Sequence, residues 1–144
     1  MFNITKAAPA DPYFITNPIE CCKLMDKEDI SRLILNERCA FTLWYKDKPV
    51  GIIGATMIHM HSAYGWSYLS EDIINCKKSF AKTMRDFVED FFDKMGLNRF
   101  FVAVDVDNEK AIRQNEWMGL EREARLRKSS IDGKDQIILS KVRA

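Results

Sequence analysis

Apolar residues recur along this chain with two periods. Between Phe80 and Met95 the spacing is helical: Phe80, Met84, Phe87, Val88, Phe91, Phe92 and Met95 share one face, while Lys77, Lys78, Lys82, Arg85, Asp86, Glu89, Asp90 and Lys94 fill the other. Gly96 stands where a helix C-cap glycine belongs. A second stripe, Cys22, Leu24, Met25, Ile30, Leu33 and Ile34, predicts two short helices between Ile19 and Leu35, with Asp26 as a cap. Strand patterning covers Phe2 to Lys6, Cys39 to Tyr45, Val50 to Met60, Trp66 to Leu69 and Phe100 to Val106. Turn chemistry at Lys46-Asp47-Lys48-Pro49 joins the second of these to the third, and His61 to Gly65 reads as the next connection. Asn108 caps a helix running from Glu109 to about Met118, before Gly119. Glu121 to Lys128 and Gln136 to Val142 form a hairpin turning at Asp132-Gly133.

The order is therefore strand, helices, a three-stranded antiparallel meander, helix, strand, helix, hairpin. A helical crossover from Trp66–Leu69 to Phe100–Val106 makes those two strands parallel neighbours. The fold class is α/β with a mixed sheet (α+β in its segregated meander), in one domain spanning residues 1–144. At 144 residues and 47% apolar content the chain buries a core without disulfide or metal staples. A net charge of +1 supplies no bulk field for nucleic acid or an acidic membrane. No apolar run reaches the roughly 18 residues of a spanning helix, and Met1 to Lys6 lacks a signal-peptide core, so a cytoplasmic protein is expected. Cys21, Cys22, Cys39 and Cys76 form no C-x-x-C pair and read as reduced thiols.

The second half, about Gly65 to Val142, resembles the GNAT acyltransferase superfamily. In that family the fourth strand ends in an Arg/Gln-x-x-Gly-x-Gly/Ala loop that opens the long helix and wraps the coenzyme A pyrophosphate. Counting back from Gly96 puts that loop on Cys76-Lys77-Lys78-Ser79-Phe80-Ala81. Ala81 obeys the pattern, while Cys76 replaces the arginine and Ser79 the first glycine. Helix amides and the lysines favour an anion there, whereas the Ser79 β-carbon hinders close approach of backbone to phosphate. The family's Asn-x-x-Ala-Ile-x-x-Tyr-x-x-x-Gly-Phe helix is matched by Asn108, Ala111, Ile112 and Gly119, with Asn115 at the tyrosine position and Leu120 at the phenylalanine. A closer resemblance, carried by Trp66 to Ser70, Lys77-Lys78, Asp90 and the Asp132-Gly133 hairpin, is to the GNAT-like internal virion proteins of short-tailed bacteriophages. It implies a phage or prophage origin and, in that case, the host cytoplasm.

The resemblance implies an acetyl-CoA-dependent N-acyltransferase acting on a small-molecule or protein amine, with splayed parallel strands admitting the pantetheine. The alternative is a catalytically inactive descendant that assembles virions or binds a phage or host protein. The cofactor set implied is Ser70, Asn75, Cys76, Lys77, Lys78, Ser79, Phe80, Ala81, Asn108 and Ala111. Glu71, at the mouth where the fourth strand ends, is the candidate base, with Asp72 second; solvated acids favouring the next helix N-terminus are the competing reading. Asn115 cannot protonate a leaving thiolate as the family's tyrosine does. His59 and His61, two apart on a strand, share a face and make half a zinc site at most; an ordinary strand-end role competes, and no metal is expected. Arg122, Arg125, Arg127 and Lys128 are diluted by Glu121 and Glu123 and lack interleaved aromatics, so no nucleic-acid surface is expected.

Overall fold

A computed structural model describes residues 2–36 and 39–144. Seven strands form one sheet in the order β1-β2-β3-β4-β5-β7-β6: β1 (Phe2–Lys6), β2 (Ala40–Tyr45), β3 (Lys48–His59), β4 (Ser62–Leu69), β5 (Arg99–Asp105), β6 (Glu121–Leu126) and β7 (Gln136–Val142). Three helices accompany them: α1 (Lys27–Asn36), α2 (Lys77–Lys94) and α3 (Glu109–Trp117). The crossover through α2 makes β4 and β5 parallel, with Ser62, Ala63 and Tyr64 opposite Arg99, Phe100 and Phe101. The pairs β1–β2, β2–β3, β5–β7 and β6–β7 are antiparallel. The mixed sheet, the meander, the crossover and the terminal hairpin are those expected from the pattern.

Contacts cluster the chain into two compact units, Met1–Thr56 with Gly65–Phe80, and Met57–Tyr64 with Ala81–Ala144. In the first, Ile15, Cys22, Ile30, Ile34, Ala40, Ile52 and Tyr68 form a buried cluster that Trp66 packs against. Gly54 is there because Trp66 lies on it: a β-carbon at Gly54 would come within 2.3 Å of the indole ring. In the second, Phe92 is buried beneath the cations of Lys141 and Arg143, at 5.1 and 4.9 Å from its ring. Phe91 meets Phe100 edge-on in the same unit.

Local differences from the expected elements have identifiable causes. The β2–β3 turn is only Lys46-Asp47, both left-handed at φ +51° and +62°, so Lys48 and Pro49 enter β3. Such a mirror-image two-residue turn matches strand twist, and here it forms without glycine. Pro49 is accommodated by a bulge: Leu43 faces Gly51 while Trp44 faces Pro49. The expected connection at His61 to Gly65 is shorter, since β4 already begins at Ser62 and pairs with β5 from there. The two expected short helices are a 3-10 turn at Glu20–Cys22 and α1, whose entry Asp26 holds by accepting the Glu28 N–H at 2.8 Å. A further 3-10 turn, Asp11–Phe14, occupies the proline-rich stretch. The last hairpin has a longer connection than Glu121–Lys128 implied, because β6 ends at Leu126 and Lys128 turns left-handed at φ +52°.

Candidate active site

The first unit holds the stretch from Ser70 to Phe80 as one continuous helical path. Ser70 is fully buried; its N–H donates to Val50 O at 2.9 Å, and its Oγ accepts the Asp72 N–H at 3.2 Å, capping a 3-10 turn over Glu71–Cys76. That turn runs straight into α2 at Lys77. The segment Asn17–Ile19 pins the strand exit: Glu71 N–H donates to Asn17 O at 2.7 Å, Ile19 N–H donates to Leu69 O at 2.9 Å, and Pro18 bridges Ser70. Asn17 is itself left-handed, at φ +49°.

The loop expected at Cys76 to Ala81 is therefore a correction: Cys76 ends the 3-10 turn, and Lys77 to Ala81 are the first residues of α2. The physical reason is Ser70, whose side chain starts a helical turn immediately after β4 and leaves no length for a loop. Lys77, Lys78 and Ser79 are exposed, and the first turn of α2 carries no acidic residue. Phe80 instead buries its ring, edge-on to Phe2 with centroids 6.0 Å apart, so only its backbone faces the candidate site's chemistry. Asn75 is exposed on the 3-10 turn. The half-buried Cys76 thiol donates to Asp72 O at 3.7 Å, and burial pushes its pKa up, so it is a packed thiol rather than a nucleophile.

The two candidate bases separate. Asp72 accepts Lys48 Nζ at 2.8 Å, and that hydrogen bond leads the causes that hold its carboxyl below the usual range. A carboxylate so held is a poor proton acceptor near neutral pH. Glu71, its neighbour, is exposed at the strand exit that Asn17 fixes. Sequence reasoning missed Lys48 because its pairing with Asp72 depends on register across the sheet, which spacing does not report.

The second unit holds α3. Asn108 Oδ1 accepts the Ala111 N–H at 3.3 Å at the helix start. The end is a Schellman cap: Leu120 N–H donates to Asn115 O and Gly119 N–H to Glu116 O, with Gly119 at φ +97°. Asn115 Nδ2 donates back to Ala111 O at 2.8 Å, so its amide lies along its own helix. Ala111 and Asn115 are half-buried one turn apart, on one face. α2 ends in the same cap, Leu97 N–H to Phe92 O and Gly96 N–H to Asp93 O, with Gly96 at φ +61°.

The histidines are a second correction. His59 ends β3 and His61 lies in the Met60-His61 turn, so they do not alternate along one strand. Instead His59 Nδ1 accepts the His61 N–H at 3.1 Å, and His61 Nδ1 lies 3.1 Å from Gly96 O, a strand-end and helix-end tie. Among the described residues no group of three His, Cys, Asp or Glu is placed to hold a metal, and no helix is long and apolar enough to cross a membrane. Two of the terminal arginines are paired with acids, Arg122 with Glu116 and Arg125 with Asp135. A depression of about 470 Å³ lined by Asn3, Thr5, Trp44, Lys46 and Asp47 was not legible in the sequence, since β1–β2 register makes it.

No protein-family model matches the chain, and no curated protein does. Solved structures do. Ard1 from Thermoplasma volcanium superposes with a TM-score of 0.83 at 15% identity, covering 99% of this chain and 98% of that one. The ribosomal-protein-S18-alanine N-acetyltransferase from Escherichia coli gives 0.77 at 16%, covering 97% and 92%. The microcin C7 self-immunity acetyltransferase MccE, solved with acetyl-CoA and AMP, gives 0.73 at 19%, covering 99% and 92%. An acetyltransferase of the GNAT family from Bacillus anthracis gives 0.76 at 16% over 98% and 94%.

Proposed function

We propose that this chain uses the GNAT fold it shares with those neighbours to transfer an acetyl group from acetyl-coenzyme A to an amine. The observation that carries the reading is the start of α2. A helix entrance with two exposed lysines and no acid in its first turn matches the charge of a pyrophosphate. Bound there, acetyl-coenzyme A would supply the thioester whose acyl carbon an amine attacks. Lys77 and Lys78 would neutralise phosphate charge there, and backbone N–H groups in the first turn of α2 would be the phosphate donors. Ser70 holds this entrance by its cap.

Glu71 takes the proton from the attacking amine, directly or through water, because Asp72 is occupied by Lys48. Asn115, an amide bonded to Ala111 O, supplies no proton. Solvent protonates the departing thiolate instead, which is tolerable for a thiol of pKa about 8.5. Turnover is accordingly modest. The acceptor is a small-molecule or protein amine.

The test is acetyl transfer to a panel of spermidine, aminoglycosides and lysine peptides, with thiol release as readout. The reading expects slow turnover that Glu71→Gln lowers and Asn115→Tyr raises where the phenol reaches the sulfur. Cofactor binding with no transfer to any amine, even in the Asn115→Tyr, Ser79→Gly double variant, places the defect in the base or acceptor pocket. No binding at all contradicts the reading and leaves a protein that works by its surface.

A further inference from the structure

Cys21 and Cys22 are adjacent in the 3-10 turn Glu20–Cys22, with their sulfurs 4.0 Å apart. They differ in environment, since Cys21 is exposed and Cys22 buried. Cys22 is also tied to β4: its Sγ–H donates to Ser67 O at 3.7 Å, and its Sγ accepts the Leu69 N–H at 3.5 Å. Ile19, just before the turn, donates its N–H to the carbonyl of the same Leu69. An exposed outer thiol, an inner thiol in reach, and a strand gripped by the inner one are the parts of an oxidation site.

We infer that Cys21 and Cys22 form a redox modification site, in which a hydroperoxide oxidises exposed Cys21 and buried Cys22 resolves it as a vicinal disulfide that releases β4. In the first step the Cys21 thiolate attacks the peroxide O–O bond, giving Cys21 sulfenic acid and releasing the alcohol or water. In the second the Cys22 thiol displaces hydroxide from that sulfur, forming the S–S bond and a second water. Two electrons and two hydrogens leave the protein, and the peroxide is reduced.

The hydrogen bond with Cys21, and burial after it, raise the Cys22 pKa and keep it protonated until oxidation of Cys21 removes that bond, which orders the two steps. After oxidation Cys22 has no S–H to donate to Ser67 O. Its sulfur must also close from 4.0 Å toward the roughly 2.05 Å of a disulfide, away from the Leu69 N–H. Adjacent α-carbons sit about 3.8 Å apart across a trans peptide, shorter than ordinary disulfides span. The ring is strained and readily reduced, as a reversible switch requires.

The experiment treats the full chain with hydrogen peroxide, then alkylates and maps peptides by mass spectrometry. The expected result is a loss of about 2 Da confined to the Cys21–Cys22 peptide, with neither thiol alkylated and full reversal by dithiothreitol. Exchange of the Leu69 amide should rise about tenfold in the oxidised form, the equivalent of one net hydrogen bond. Cys22→Ser should leave Cys21 stalled as a trappable sulfenic acid, and exposed Cys21→Ser should leave Cys22 alkylatable only after unfolding. A sulfinic acid at Cys21 with Cys22 intact, a Cys21 disulfide between two chains, or a bridge to Cys39 or Cys76 would each overturn the inference. None of these outcomes depends on whether the chain binds coenzyme A.

Discussion

The entrances to α2 and α3 are both capped by a side chain, yet they were unequally legible. At α3 both boundaries are set by residues next to the helix: Asn108 caps Ala111, and Gly119 closes the Schellman end. At α2 the cap is Ser70, seven residues before the helix, and it is held by Val50 and by the Pro18 bridge from remote segments. Local chemistry alone makes the α3 boundary, whereas tertiary contacts decide how the chain enters α2 and so shape the proposed phosphate entrance.

Core truncations have the largest expected effect and locate how much each helix rests on packing. Phe92→Ala in α2 should cost about 3–5 kcal/mol and Ile112→Ala in α3 about 2–5 kcal/mol, by chemical denaturation. An α2 truncation costing no more than a surface change would mean that the helix is held by its ends instead. Next, the caps sharpen the contrast itself. Gly119→Ala forces a β-carbon into the left-handed region, at about 1–2 kcal/mol, and Asn108→Ala should lose about 1 kcal/mol. Ser70→Ala should cost less than Asn108→Ala, because the Val50 and Asn17 bonds remain to hold the 3-10 turn. The reverse ranking would make the α2 entrance as locally determined as the α3 one.

Ser79→Gly pits stability against binding. Its place in the first turn of α2 means that glycine loosens the helix, by up to about 1 kcal/mol, while removing the β-carbon should tighten coenzyme binding. Both losing stability and losing affinity would show that the anion does not approach this backbone. The smallest effect is the acid limb of stability at Lys48–Asp72. The folded Asp72 pKa lies below its ordinary value of about 3.9. The pair's contribution is therefore complete above that value and is lost as pH falls through the lower folded one. Asp72→Asn should flatten that part of the pH–stability curve and leave the neutral range unchanged apart from a constant offset.

The order of elements, the crossover, the long helix and both glycine caps were legible because period and cap residues are written in neighbouring positions, as Phe80 to Gly96 shows, whereas the placing of β7 between β5 and β6 was not. The Lys46-Asp47 turn was legible as a turn but not in its bounds, since a left-handed pair without glycine has no sequence signature. The Lys48–Asp72 pair and the hold of Val50 and Asn17 on the 3-10 entrance depend on contacts between distant segments, which no spacing along the chain encodes, whereas the His59–His61 contact follows from the short turn between β3 and β4, whose bounds the pattern left open. Of the two resemblances drawn from the sequence, the one to GNAT acyltransferases agrees with the fold, which solved GNAT-family structures share; the one to phage internal virion proteins is not shown.

Calorimetric titration of the chain with acetyl-coenzyme A, at two salt concentrations and beside a Lys77→Ala, Lys78→Ala double variant, tests the central claim most directly. The account predicts saturable binding with a parallel rise in thermal stability, about 2.7 kcal/mol when the ligand stands at 100 times its dissociation constant. It also predicts that affinity falls as salt rises, and that the double variant binds more weakly with less salt dependence. No heat and no thermal shift at millimolar coenzyme would contradict it, and an affinity unchanged in the double variant would move the phosphates away from the start of α2.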